Sequence, residues 1–171
     1  MKKTEQFDIL DINGNKTGII ANRTDTLTPG QYFLGMHAYI YNSDKKFLVQ
    51  QRAYGKSFLP GCWEVHLGHT VAGESSMDCL LREVQEEIGL LIEPANAELI
   101  GRVLLGEGYT HFADIYFVCQ EYNLECLKFQ PGEVIAVKEI EIKDMLKMVD
   151  GMTYRPEEYR ALIRNKIINL A

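Results

Sequence analysis

Residues 75–89 constrain the fold more than any other stretch, because both ends of a helix are written into them. Ser75 and Asp78 have capping-box spacing, in which a side chain at each position satisfies a backbone amide at the helix start, and Gly89 supplies the left-handed residue that ends the helix. Between them Met77, Leu80, Leu81, Val84 and Ile88 form an apolar stripe at helical spacing. Glu83, Glu86 and Glu87 stand at i, i+3 and i+4, so their carboxylates share a different face, about a third of a turn away. Each exposed like-charge pair costs some tenths of a kcal/mol, so a core-packed helix gains from three of them only if something positive sits among them. A divalent cation meets that requirement, and a solvated acidic face is the plain alternative. Cys79, one turn before Glu83, reads as a buried thiol, since a soft thiolate suits a hard cation poorly.

The rest of the chain supplies strands around this helix. Residues 7–10 and 17–20 flank Asn13-Gly14, the dipeptide suited to a tight hairpin turn, and predict an N-terminal β-hairpin. Residues 34–41 and 47–51 are rich in aromatic and branched side chains on either side of a polar turn and predict a second antiparallel pair. Gly55, Pro60 and Gly61 punctuate a loop over residues 54–62 before a short strand at 63–67. Further strands are expected at 99–105, 112–119 and 134–142, with a short helix at 143–149. A last helix is expected at 155–170, where Tyr159, Leu162, Ile163 and Ile167 recur at helical spacing and Pro156 fits the first turn. No repeat or composition shift divides the 171 residues, so residues 1–171 read as one mixed α/β domain.

Charge narrows the partners. Eighteen Lys and Arg against 24 Asp and Glu give a net charge of −6, which offers no basic footprint for a nucleic-acid polymer or an anionic membrane surface. Anionic small molecules stay within reach if bound cations reverse the local field. The chain shows no export signal and no apolar run approaching the roughly 20 residues of a membrane span, and a cytoplasmic location is expected. Cys62, Cys79, Cys119 and Cys126 lack metal-ligand spacing and read as reduced thiols.

Gly68, Glu74 and the run Arg82-Glu83-Val84-Gln85-Glu86-Glu87-Ile88-Gly89-Leu90 resemble, at every specified position, the loop–helix–loop box of the Nudix hydrolases. The resemblance implies an α/β/α sandwich with a mixed central sheet, to which the hairpin is added. It also implies Mg²⁺- or Mn²⁺-dependent hydrolysis of the diphosphate linkage of a small nucleoside diphosphate derivative or related pyrophosphate compound. Carried onto this chain, it makes Glu83, Glu86 and Glu87 metal ligands, with Glu83 the first candidate to deprotonate the attacking water. Arg82 and Glu74 would orient these ligands, while Gly68 would permit a tight turn and Gly89 the helix exit. A further metal-binding glutamate is expected ahead of a late strand, where Glu133 stands; Glu107 and Asp114 are the alternatives.

Several other residues have both a functional and a bland reading. Gln50, Gln51 and Arg52 end a strand that runs beside substrate in relatives, so Gln50 and Arg52 are candidate substrate contacts, although surface-strand polarity also explains them. Trp63 could stack on a base or simply pack. His69 is a further candidate contact, and His66 remains open. The opening of the chain is also similar to isopentenyl-diphosphate isomerases, through residues 8–18, Leu48-Val49-Gln50-Gln51-Arg52, Lys56 and Pro60-Gly61-Cys62-Trp63-Glu64. Leu67 stands where those enzymes carry their cysteine, which argues against isomerisation. A nucleotide-sensing protein without turnover is the other rival, since a fold does not fix a function. Residues 53–62 and 106–111 are the expected selectivity loops, and the hairpin offers an edge for pairing in a homodimer.

Overall fold

The computed structural model describes residues 5–105 and 111–170. The hairpin forms as expected, with β1 (Gln6–Leu10) and β2 (Lys16–Asn22) antiparallel around Asn13-Gly14, where Gly14 has a φ of 77°. The remaining strands are β3 (Phe33–Tyr41), β4 (Phe47–Arg52), β5 (Trp63–Glu64), β6 (His66–His69), β7 (Ala97–Leu104), β8 (His111–Cys119) and β9 (Val134–Ile140). The helices are α1 (Ser76–Ile88), α2 (Ile142–Gly151) and α3 (Glu157–Ile168). The last helix is shorter than expected at both ends. Pro156 adopts an extended ψ of 150° and caps the helix from outside its first turn.

One sheet runs in the order β5-β4-β3-β8-β7, with β6 added to β3 and β9 to β4. It is mixed, since β3 and β8 are parallel over nine residue pairs whereas the other pairings are antiparallel. Next to the turn that joins them, β3 and β4 pair through Ile40–Leu48 and Tyr41–Phe47. Further along they part, and the segment holding β5 and β6 fills the wedge, β5 against β4 and β6 against β3. That wedge delivers Gly68 to the middle of the sheet beside α1.

Strand alternation sorts the core into two layers. Met36, Ala38, Ile40 and Leu48 pack under Leu80, Val84 and Ile88 of α1, all within the buried core. Tyr39, Phe47, Val49 and Phe117 on the other face pack against Met145 and Val149 of α2 and Ile163 and Ile167 of α3. Each fully buried aliphatic side chain contributes about 1.5–3 kcal/mol relative to exposure, so both helix layers are anchored by apolar burial. The result is the expected α/β/α sandwich. Among the described residues no helix is long and apolar enough to cross a membrane.

Candidate active site

The start of α1 is fixed as its sequence predicts. Ser75 Oγ accepts from the Asp78 amide at 3.1 Å, the Ser75 amide donates to Asp78 Oδ2 at 3.0 Å, and Gly89 closes the helix at a φ of 72°. With the helix so pinned, Glu83 and Glu87 turn into a cavity of about 610 Å³ whose wall also includes Arg82, Glu86 and Glu133. Gly68 serves a purpose other than the expected tight turn. It lies within β6, and its lack of a side chain lets Glu83 approach, since a β-carbon there would stand 2.5 Å from Glu83 Cγ.

Arg82 is the hub of the acidic wall. Its Nε and one Nη grip both oxygens of Glu74 at 2.6 and 2.9 Å, while the other Nη donates to Glu83 at 2.8 Å and Glu86 at 3.3 Å. Glu74 is itself held by the Val71 amide at 3.0 Å, so a loop carboxylate aims the arginine and the arginine aims two helix carboxylates. Charge-assisted forks of this kind are among the stronger and more directional side-chain contacts.

Glu87 is arranged differently. Gln50, only 2% exposed, donates its side-chain amide to Glu87 at 2.8 Å and is absent from the cavity wall. The structure places Gln50, expected as a substrate contact, as a partner of a box carboxylate. Burial pushes the Glu87 carboxyl up to about 7; Gln50 opposes the shift, and the nearby Glu83, Glu64 and Glu133 add to it. Burial likewise raises Glu83, although Arg82 pulls it down.

Glu133 follows the left-handed Gly132 and reaches the cavity ion-paired to Lys56, while its carbonyl accepts from the Ala53 amide at 2.9 Å. Of the two alternatives, Asp114 is 1% exposed and locked by Arg102 through bonds of 2.6 and 2.8 Å, and it does not line the cavity. Glu107 lies outside the described residues.

Among the described residues no three His, Cys, Asp or Glu side chains form a ready-made ligand cluster, and Glu83 and Glu86 are ion-paired with Arg82. The chemistry of the wall nonetheless fits a hard divalent cation. Glu83, Glu87 and Glu133 are oxygen donors on one cavity, and burial raises the carboxyls of Glu83 and Glu87 against the opposing pull of Arg82 on the first and Gln50 on the second. Cys79 is buried, as expected, and burial first and Glu83 second hold its thiol far above the ordinary range.

Arg52 and His69 also line the cavity, Arg52 bonded to Glu64 at 2.7 Å and to the Phe58 carbonyl at 2.9 Å. Trp63, the expected base contact, does not: it is partly buried against the α2–α3 core, with Lys138 Nζ 4.0 Å from its ring centroid. The cavity continues over β6 to the α3 side of the sheet, where His37, His111, Leu67 and Arg155 join His69. His37, Lys56 and Arg155 were not among the site residues expected from the sequence. Lys56 had a signal in the isomerase-like pattern, whereas His37 and Arg155 reach the site only through the packing of α3 on β3.

Comparison with known proteins gives these geometries a context. The NUDIX domain family profile matches residues 31–160. An uncharacterized Nudix hydrolase of Listeria monocytogenes is 32% identical over 131 residues, covering 76% of this chain and 76% of its own length. An isopentenyl-diphosphate Delta-isomerase of Shigella flexneri is 33% identical over 97 residues, but the match covers only 54% of this chain and 51% of the isomerase. A crystal structure of a Deinococcus radiodurans protein superposes with a TM-score of 0.71 at 18% identity, covering 94% of this chain and 98% of that one.

Proposed function

Because the chain belongs to the Nudix family and is a pyrophosphohydrolase, we propose that it cuts the diphosphate linkage of a small nucleoside diphosphate derivative with Mg²⁺ as its cofactor. The observation that carries this reading is the gathering of Glu83, Glu87 and Glu133 on one cavity wall, with burial raising Glu83 and Glu87. Glu83, Glu86, Glu87 and Glu133 would hold the ion; Mn²⁺ suits the same oxygen donors. When bound, the ion offsets diphosphate charge and lowers the pKa of water.

The remaining work falls to the chain itself. Arg82, aimed by Glu74, sets the positions of Glu83 and Glu86, and Gln50 fixes the rotamer of Glu87. Glu83 lies beside Gly68 with its carboxyl in the cavity, a position suited to accept the proton of an attacking water. Arg52 and His69 line the same wall and would contact substrate there.

Isomerisation of a prenyl diphosphate is disfavoured on two grounds. Leu67 carries no acid at the cysteine position, and the large apolar side chains on the described wall are only Phe58 and Leu67. The test is turnover of a panel of nucleotide sugars, dinucleotides, nucleoside triphosphates and prenyl diphosphates, with and without Mg²⁺. Ion-dependent release of nucleotide or phosphate is expected, with Glu86→Gln and Glu87→Gln slower by tenfold or more. Near wild-type rates in both variants would sink the site reading; saturable binding without turnover would favour a sensor.

A further inference from the structure

His37 lies on β3 between Met36 and Ala38, and strand alternation sends it to the other face: those two pack under α1, whereas His37 meets α3. There its Nδ1 lies 2.7 Å from the Tyr159 hydroxyl, which in turn lies 3.0 Å from the Tyr39 hydroxyl. All three side chains are buried, His37 at 3% exposure. Burial first and the charge of Arg155 second hold His37 well below the ordinary histidine range, so near neutral pH its ring carries a single hydrogen. Each tyrosine has one hydroxyl proton to place, and counting them fixes the direction of the chain. If Tyr159 donated to Tyr39, the Tyr39 proton would have no acceptor among the described residues, in a fully buried position where an unmade hydrogen bond is costly. Tyr39 therefore donates to Tyr159, Tyr159 donates to Nδ1, and the ring hydrogen sits on Nε2.

That N–H has no use inside the protein. Nε2 makes no hydrogen bond among the described residues, and it is not sealed from solvent, whereas both ring nitrogens of His66 are. It opens on the cavity of about 610 Å³, whose wall His37 shares with Gly35, Leu67 and His69. Gly35, two positions along β3 and so on the same face, has no side chain to cover the imidazole. A ring pinned from behind presents its outer donor in a fixed direction, and such a donor discriminates, because it is left unpaired when the group it meets is missing. Glu83 and Glu87 reach the cavity from α1, on the opposite face of the sheet. What meets Nε2 therefore lies beyond the diphosphate that the box carboxylates and their ion would hold.

We propose that His37 is a specificity-determining residue that donates its Nε2 hydrogen to an acceptor oxygen, a hydroxyl or carbonyl, carried by the substrate outside the diphosphate that is cut. The assignment deepens the hydrolytic reading, on which it rests: the part of the substrate that lies against β3 is polar, since a hydrocarbon chain there would leave the donor unpaired.

Two substitutions separate the cavity bond from the internal one, because Gln carries an N–H at the reach of Nε2 and Asn carries an acceptor at the reach of Nδ1. The probe is whichever nucleotide sugar, dinucleotide or nucleoside triphosphate the wild type hydrolyses fastest. His37→Gln should stay within threefold of the wild-type KM. His37→Asn, which keeps the bond from Tyr159, should raise KM tenfold or more, with kcat within threefold in both variants. The reverse order, or equal KM values, would mean that His37 serves packing alone and would overturn the assignment. The hydrogen itself is read by NMR in metal-free wild type with isotope-labelled histidine nitrogens, the His37 ring being identified by its nuclear Overhauser contact with Tyr159. Near neutral pH, Nε2 should carry the hydrogen and Nδ1 none. A hydrogen on Nδ1, or on both, overturns the assignment even if neither variant folds. Should none of the compounds be hydrolysed, the hydrolytic reading falls, and the donor then stands only if the Nε2 signal moves when one of them saturates the protein; a signal indifferent to all of them overturns it as well. Hydrolysis with a wild-type KM in His37→Asn would instead leave the hydrolytic reading and remove the donor.

Discussion

Gly68 and Glu83 are in such close register that a β-carbon on the glycine would stand 2.5 Å from Glu83 Cγ and 3.2 Å from Cys79 Sγ. The strand and the helix meet there with no room for a side chain. Gly68→Ala must therefore displace Glu83 or push α1 from β6. Overpacking of this kind costs about 1–3 kcal/mol, and misplacing a reacting group by about 1 Å costs about 100-fold in rate. The expected outcome is kcat down by about that factor with a folded protein of lowered Tm. Wild-type kcat in a folded Gly68→Ala protein would refute the proposed role of Glu83.

The three glutamates, the capping box and the terminal glycine of α1 were legible because they are set by local spacing. Gly68 was legible as a fixed position but not for its reason: a glycine in a turn and a glycine in a strand under a helix look alike until the helix is docked. Gln50 and Glu64 face α1, whereas Gln51 and Trp63, one step along the same strands, face away. That parity depends on how β5 enters the wedge between β3 and β4, which no local pattern encodes. Arg155 precedes a helix in sequence, and only the docking of that helix brings it within reach of His37, 118 positions earlier.

Arg82 answers three carboxylates from one planar group, a task a lysine cannot reproduce. Arg82→Lys keeps the charge and should still lose tenfold or more in kcat, with the Mg²⁺ dependence moved to higher concentration. A titration of rate against Mg²⁺ reads both effects. A lysine variant with the wild-type curve would mean that charge alone suffices.

Gln50 is buried and its amide is spent on Glu87, so Gln50→Leu removes a donor without opening the cavity. If Glu87 is a metal ligand, losing the group that orients it should weaken the ion about 10-fold or more, within the range for such outer partners. Isothermal titration with Mn²⁺ checks this directly. A shift in substrate KM with unchanged ion affinity would return Gln50 to the role of substrate contact.

His66 carries a prediction for stability against pH. It is 1% exposed, neither ring nitrogen has a hydrogen-bond partner among the described residues, and burial pushes it down to about 3. In the unfolded chain it titrates near its ordinary value of 6.5, so between pH 6.5 and 3 the unfolded state binds the extra proton. Its contribution is therefore fully present above pH 6.5 and is lost as pH falls toward 3. From pH 7 to pH 5 the loss is about 2 kcal/mol for a single histidine so shifted. His66→Leu abolishes this titration and also removes the unpartnered ring N–H, so at pH 7 the variant should equal or exceed the wild type in stability. Urea melts of both proteins in metal-free buffer at pH 7 and pH 5 measure the difference, in which the other titrating groups largely cancel. The wild type should fall behind by about 2 kcal/mol at the lower pH. Parallel stability curves would show that His66 keeps its ordinary affinity for a proton in the folded protein.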